Sequence, residues 1–256
     1  MELMVEVRNL TKSFGDHIVL DDISLDVKVG ENAVVFGRSG SGKSVLLKCI
    51  VKLLVPEAGE IVVDGKNVYK IKEKELNELR KSIGFLFQGS ALYDSMSVRE
   101  NLEFPLIRNK KEMSAEEREE RVIKALKDVS LEGAIDKMPD ELSGGMKKRI
   151  GLARTIISEP KLILYDEPTT GLDPITVKEI SSLIKELQKD LNVTSIIVTH
   201  DLLCAQIISD RAVVLKDGKI IYDGGLDYLT TSDDKFLKDF FTNENIYAKN
   251  RSINGN

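Results

Sequence analysis

Residues 37–44 read GRSGSGKS, two glycines with four residues between them followed by lysine and serine. That spacing suits one chemistry, the cradling of phosphate. Gly37, Gly40 and Gly42 let the backbone of Gly37, Arg38, Ser39, Gly40, Ser41, Gly42, Lys43 and Ser44 curl until several N–H groups converge on an anion. The helix expected to follow adds the positive end of its dipole. On this reading Lys43 reaches the β- and γ-phosphates of a bound nucleotide. The Ser44 hydroxyl ligates Mg²⁺.

Two further segments could do related work. Residues 162–167 read LILYDE, an apolar strand ending in two carboxylates. Strand C-termini are where open α/β sheets bind ligands. Asp166 is therefore assigned to Mg²⁺, often through water, and Glu167 to polarising the attacking water. Residues 142–146 read LSGGM and continue as KKRIGLARTI. Ser143, Gly144 and Gly145 at a helix start form another anion-binding N-terminus. One triphosphate does not need two such sites in one domain. The economical assignment gives the second to a nucleotide held by another copy of the chain, although such a junction alone is also an ordinary capped helix start.

These residues need elements to hold them. Residues 5–10, 23–27 and 33–37 read as strands, and 60–69 as a hairpin turning at Asp64-Gly65. A helix over 44–54 is ended by Pro56 and Gly59. Residues 90–160 are helical in pattern. Ser114 and Glu117 form a capping box there, ahead of Val122, Ala125, Leu126 and Val129 at helical spacing. From residue 160 strands and helices alternate. Strands are expected at 162–166 and 193–199, helices at about 174–190 (N-capped by Asp173 before Pro174) and 201–208, and a second hairpin at 212–224. Continuous apolar strands alternating with helices predict a parallel sheet covered on both faces, an α/β fold. The tail 243–256 is polar.

Composition narrows the function. The chain has 256 residues, 42% hydrophobic and 31% charged, with a net charge of −5. No basic stripe suits a nucleic-acid binder, so no nucleic-acid partner is expected. Cys49 and Cys204 are too few for a disulfide framework or a thiolate metal site, which fits a reducing compartment. The first residues lack the apolar core of a secretory signal, and no stretch approaches 18 apolar residues.

The order GRSGSGKS, Gln88, LSGGM, LILYDE, GLDP and His200 resembles the ATP-binding subunits of ABC transporters, over residues 3 to about 240. The resemblance implies a P-loop NTPase fold of the ABC ATPase type. That fold has a RecA-like parallel-sheet core, an antiparallel β subdomain and a helical subdomain at about 90–160, within one domain over 1–242. It implies ATP and Mg²⁺ as ligands, with Ser44, Gln88 and Asp166 around the metal. It also implies catalysis by Glu167, His200 and Lys43, His200 as the switch histidine on the γ-phosphate. Phe14 matches the aromatic that stacks on adenine, where tyrosine is commoner. Gln88 matches the glutamine that senses both nucleotide and membrane partner, and Asp173 the acid that contacts the opposite subunit.

By the same resemblance, two copies sandwich two ATP molecules, each between one copy's phosphate loop and the other's Ser143–Gly145. An integral membrane permease docks near Gln88 and residues 89–105, where Leu92, Tyr93, Met96 and Phe104 either supply apolar contacts or form local core. The methionine of LSGGM, together with GRSGSGKSVLLKCI and SDDKFLKDFF (232–241), is similar to the subgroup serving Mla- or Mce-type phospholipid transporters. That subgroup implies an MCE-type lipid-binding protein in the complex and a place on the cytoplasmic face of the bacterial inner membrane, held through the permease. The alternatives are an importer ATPase for an amino acid or metal and, less favoured, a non-transport ABC ATPase.

Overall fold

Apolar residues alternate along β1 (Leu3–Phe14) and β2 (His17–Lys28), and the two pair antiparallel in a computed structural model describing residues 2–109, 112–232, 234, 237 and 238. Both strands run longer than their sequence signal, because the ladder continues through register shifts, such as that between Val7 and Leu10, where the apolar alternation lapses. β4 (Ala58–Val63) and the two-residue β5 (Lys66–Asn67) complete a four-stranded sheet in the order β2-β1-β4-β5. Asp64 and Gly65 turn that hairpin with φ of +48° and +71°, as the Asp-Gly signal predicts.

The second sheet has six strands. β3 (Asn32–Phe36), β6 (Ile83–Leu86), β7 (Leu162–Asp166), β8 (Thr194–Thr199), β9 (Arg211–Lys216) and β10 (Lys219–Gly224) lie in the order β10-β9-β3-β8-β7-β6. All neighbours are parallel except the β9-β10 hairpin. Every residue of β3, β7 and β8 is buried. The two-residue side-chain period divides them between two cores. Ala33, Val35, Leu164, Ile196 and Val198 face the side that carries α1 (Lys43–Ile50) and the antiparallel sheet. Val34, Phe36, Ile163, Tyr165 and Ile197 face the side packed by the remaining helices.

α1 stops at Ile50, four residues short of its expected end, and Lys52 turns the chain at φ +54°. Helices in the 90–160 region begin only at Val98. There α3 (Val98–Asn109), α4 (Ala115–Asp128) and α5 (Gly144–Ile156) lie between β6 and β7. The α4 capping box forms as the sequence predicts, with Glu117 N–H donating to Ser114 Oγ at 3.1 Å and Ser114 N–H to Glu117 Oε2 at 2.8 Å. α2 (Glu73–Lys81) gave no sequence signal, since only Leu76 and Leu79 in this charged segment are buried. α6 (Pro174–Leu191) buries Val177, Ile180, Leu183, Ile184 and Leu187 on one face, and α7 (Leu202–Ile208) packs beside it. α8 (Leu226–Thr231) follows β10. The tail 243–256 and most of the 232–241 segment lie outside the described residues.

Candidate ATP site

Strand register explains why residues distant in sequence converge. Phe36 pairs with Thr199 and Asp166 with Val198 across three adjacent parallel strands. The next residues, Gly37, Glu167 and His200, therefore leave the sheet along one edge, at the carboxyl ends of β3, β7 and β8.

The loop between β3 and α1 is shaped by contacts only glycine permits. A Cβ on Gly37 would stand 2.3 Å from Ser41 Oγ and 2.6 Å from the Leu215 carbonyl oxygen. Gly42 combines φ of +102° with a virtual Cβ 2.7 Å from Leu20 Cδ2 and 2.9 Å from the Val19 carbonyl. The β2 strand thus presses on the loop just where α1 begins. Lys43 is buried, and its Nζ donates to the carbonyls of Gly37 at 2.7 Å and Arg38 at 3.2 Å. Ser44 Oγ donates to Asp166 Oδ1 at 2.7 Å. A hydroxyl and a carboxylate are the hard oxygen donors that Mg²⁺ takes alongside phosphate oxygens and water. No cluster of three or more His, Cys, Asp and Glu forms a metal site among the described residues. Ser44 and Asp166 form a hard-oxygen donor pair whose chemistry fits Mg²⁺.

Glu167 is the hub of the charges. Its Oε2 accepts from Thr170 Oγ1 at 3.1 Å and lies 2.8 Å from His200 Nδ1, while Oε1 lies 3.4 Å from Lys43 Nζ. Burial pushes its pKa up, but the His200 bond, the charges of His200 and Lys43, and Thr170 outweigh burial and hold it below the ordinary carboxylate range. Its backbone adopts φ of +51°, a left-handed conformation costing about 1 kcal/mol or more in a non-glycine residue. The N–H bond to Val198 O at 2.9 Å fixes it there. This turn aims the carboxylate back over the phosphate loop.

The expected second site is a different place. Ser143 N-caps α5, accepting from Met146 N–H at 3.3 Å, and Asp173 N-caps α6, accepting from Ile175 and Thr176 N–H at 3.0 and 3.1 Å. Ser143, Gly144, Gly145 and Asp173 share one cleft of about 550 Å³, whose lining includes none of residues 37–44. Phe14 ends β1 about half exposed, at 49%, so it is not core; the Lys12 ammonium lies 5.1 Å from its ring centre.

Gln88 is exposed on the loop after β6. Beside it, Tyr93 and Phe104 lie with ring centres 5.0 Å apart and line a cavity of about 370 Å³ with Phe85 and Phe87. Leu92 packs instead on the core, and the Met96 backbone belongs to a turn held by Asn101. The four candidate docking residues thus divide, two on the cavity and two in local structure. Asn101 was not singled out by sequence. Fully buried, it bonds the Tyr93, Met96 and Ser97 carbonyls and accepts from Tyr93 N–H. Lys148 and Arg154 were also missed; both bond the loop that carries Gln88.

Residues 20–170 match the ABC transporter family. The intermembrane phospholipid transport system ATP-binding protein MlaF of Haemophilus influenzae is 42% identical over 94% of this chain and 91% of its own length. The Mycobacterium leprae protein named "Probable ribonucleotide transport ATP-binding protein mkl" is 40% identical over 96% of this chain and 71% of its own. A solved dimeric ATP-binding cassette in a post-hydrolysis state, bound to ADP and Pi, superimposes with a TM-score of 0.79 at 36% identity. That match covers 87% of this chain and 99% of the cassette.

Proposed function

The chain belongs to the ABC transporter family as an ATP-hydrolysing subunit, and we propose that two copies of it drive a membrane permease that moves phospholipid between membranes. The observation that carries the two-copy reading is the separation of the two anion sites. Ser143–Gly145 and Asp173 open a cleft that excludes the phosphate loop, so each cleft is available to a nucleotide on the other copy.

The chemistry follows from the site. In this reading the phosphate loop binds the triphosphate through its N–H groups, with Phe14 against the base. Lys43 exchanges its carbonyl partners for phosphate oxygens. Glu167, anionic because His200 and Lys43 outweigh burial, orients a water and accepts its proton. His200 lies beside it to stabilise charge on the departing phosphoryl. Ser44 and Asp166, with Gln88 as the resemblance implies, would hold Mg²⁺, which would neutralise phosphate charge when bound. In the solved cassette dimer, as in this reading, the product state holds ADP and Pi.

The phospholipid assignment rests on the LSGGM signature with its following helix and on the MlaF relative. The relatives' names differ in substrate at similar identity, which fits a motor whose cargo is chosen by other subunits. No helix among the described residues is long and apolar enough to cross a membrane. The proposed assembly therefore meets the cytoplasmic face of the bacterial inner membrane through its permease, with an MCE-type lipid-binding protein as a further subunit. The Tyr93–Phe104 cavity is the proposed docking groove. In this organisation residues 1–242 form one ATPase domain with a helical insertion at about 90–160.

The test is to tag the chain in its host, solubilise membranes in mild detergent and identify what co-purifies by mass spectrometry. A permease with an MCE-domain protein and bound phospholipid is the expected result. A permease without either would overturn the lipid assignment, and purely soluble partners would overturn the transport role.

A further inference from the structure

Lys148 stands where the helix pattern calls for an apolar residue. On α5 it shares a face with Leu152 and Ile156, four and eight residues on, and it is only 5% exposed. Its Nζ donates to the backbone carbonyl of Gln88. Burial draws its pKa down, while the charges of Glu167 and Asp166 oppose that fall. About 9 Å further along the helix axis, Arg154 donates to the Ser90 and Ala91 carbonyls at 3.1 and 2.7 Å. Between these two cations lies Gly151, whose virtual Cβ would stand 2.9 Å from Leu86 Cδ1 and 3.1 Å from Ser90 Cβ, so helix and loop touch directly.

The loop needs holding. Ser90 and Ala91 both adopt left-handed backbone, with φ of +62° and +48°, which costs free energy in residues bearing a Cβ. Three carbonyl oxygens within four residues are then bonded by cations of a single helix, and that helix starts at the Ser143 cap.

We propose that Lys148 is a positioning residue for Gln88. Its hydrogen bond to the Gln88 carbonyl fixes where Gln88 stands relative to Asp166 and Glu167. The same bond ties that place to the signature end of α5. Force applied at the docking groove then reaches both the nucleotide site of its own chain and the cleft that serves the other copy. This inference rests on the proposed role of Gln88 at the nucleotide site.

The test is a double-mutant cycle on steady-state ATP hydrolysis by the full chain, with Lys148→Met, Gln88→Ala and the pair. Lys148→Met is expected to lower kcat by about tenfold with KM for ATP changed less than about twofold, because Lys148 bonds no residue of the phosphate loop. In the Gln88→Ala background the further loss should be less than about twofold. Lys148→Arg should restore most of the rate by donating to the same carbonyl. If Lys148→Met melts below the assay temperature, Lys148→Gln is read through the same cycle.

Multiplying effects of the two single changes would overturn the inference while leaving Gln88 at the site. A silent Gln88→Ala would overturn both. A rise in KM matching the fall in kcat would make Lys148 a binding or folding residue instead.

Discussion

Glu167 Oε2 and His200 Nδ1 lie 2.8 Å apart, at the ends of adjacent strands β7 and β8, and the other Glu167 oxygen lies 3.4 Å from Lys43. Three residues from three separate motifs thus form one charge cluster. The carboxylate is nine-tenths buried, yet its pKa falls, because its interactions with His200, Lys43 and Thr170 outweigh desolvation. A proton acceptor held in this way stays ionised at neutral pH, and His200 fixes its orientation.

Glu167→Gln removes the charge and keeps the shape. Turnover should fall by about a hundredfold or more. ATP should still drive dimerisation, since Lys43, Ser44 and Ser143 are untouched. Phosphate release and light scattering on the same sample check both halves. Normal turnover would remove Glu167 from the chemistry.

Ser143→Arg places a bulky cation at the α5 N-cap. Hydrolysis should be lost, while a fluorescent ATP analogue should bind each chain with affinity within about threefold of the parent, given that no phosphate-loop residue lines that cleft. Loss of binding would place the signature cleft and the phosphate loop on one nucleotide within a single chain.

Gly42→Ala should lower stability by about 2 kcal/mol and weaken ATP binding, because its Cβ meets the Val19 carbonyl and the side chain of Leu20 at a φ few residues adopt. Gly65→Ala is the control. It also has positive φ, but nothing lies within 4 Å of its virtual Cβ, so it should cost about 1 kcal/mol and leave binding intact. Thermal melts and nucleotide titration separate the two.

Neither cysteine should react in the folded chain. Burial pushes the Cys49 thiol up to about 11 and the Cys204 thiol up to about 12. At pH 8 the thiolate fraction of each is then on the order of a thousandth or less. Iodoacetamide should leave both unmodified in buffer and alkylate both in guanidinium, as read by intact mass. Raising the pH toward 10 brings about a tenth of Cys49 to thiolate, so Cys49 should label before Cys204.

The phosphate loop and the LILYDE carboxylates were legible because their chemistry needs fixed residue types at fixed spacing. The same holds for the Asp-Gly hairpins and the Ser114–Glu117 cap, which rest on local backbone preferences. Three kinds of feature were not legible. α2 hides because charged residues cover all but three of its positions. The Glu167–His200 contact depends on the register of β7 against β8, which periodicity alone does not specify. Lys148 and Asn101 read as ordinary polar residues, and only packing shows that both are buried and bond loop carbonyls. A lysine in step with Leu152 and Ile156 was the one available hint.

The most direct test of the two-copy site mixes two inactive chains, Lys43→Ala and Ser143→Arg. Each homodimer lacks one half of every composite site. In a heterodimer, Lys43 of one copy faces an intact Ser143 on the other. The mixture should recover up to about a quarter of parental ATP hydrolysis if subunits exchange freely, since half the dimers are mixed and each has one whole site. A mixture as inactive as its components, with exchange verified by mass, would contradict a site shared between copies.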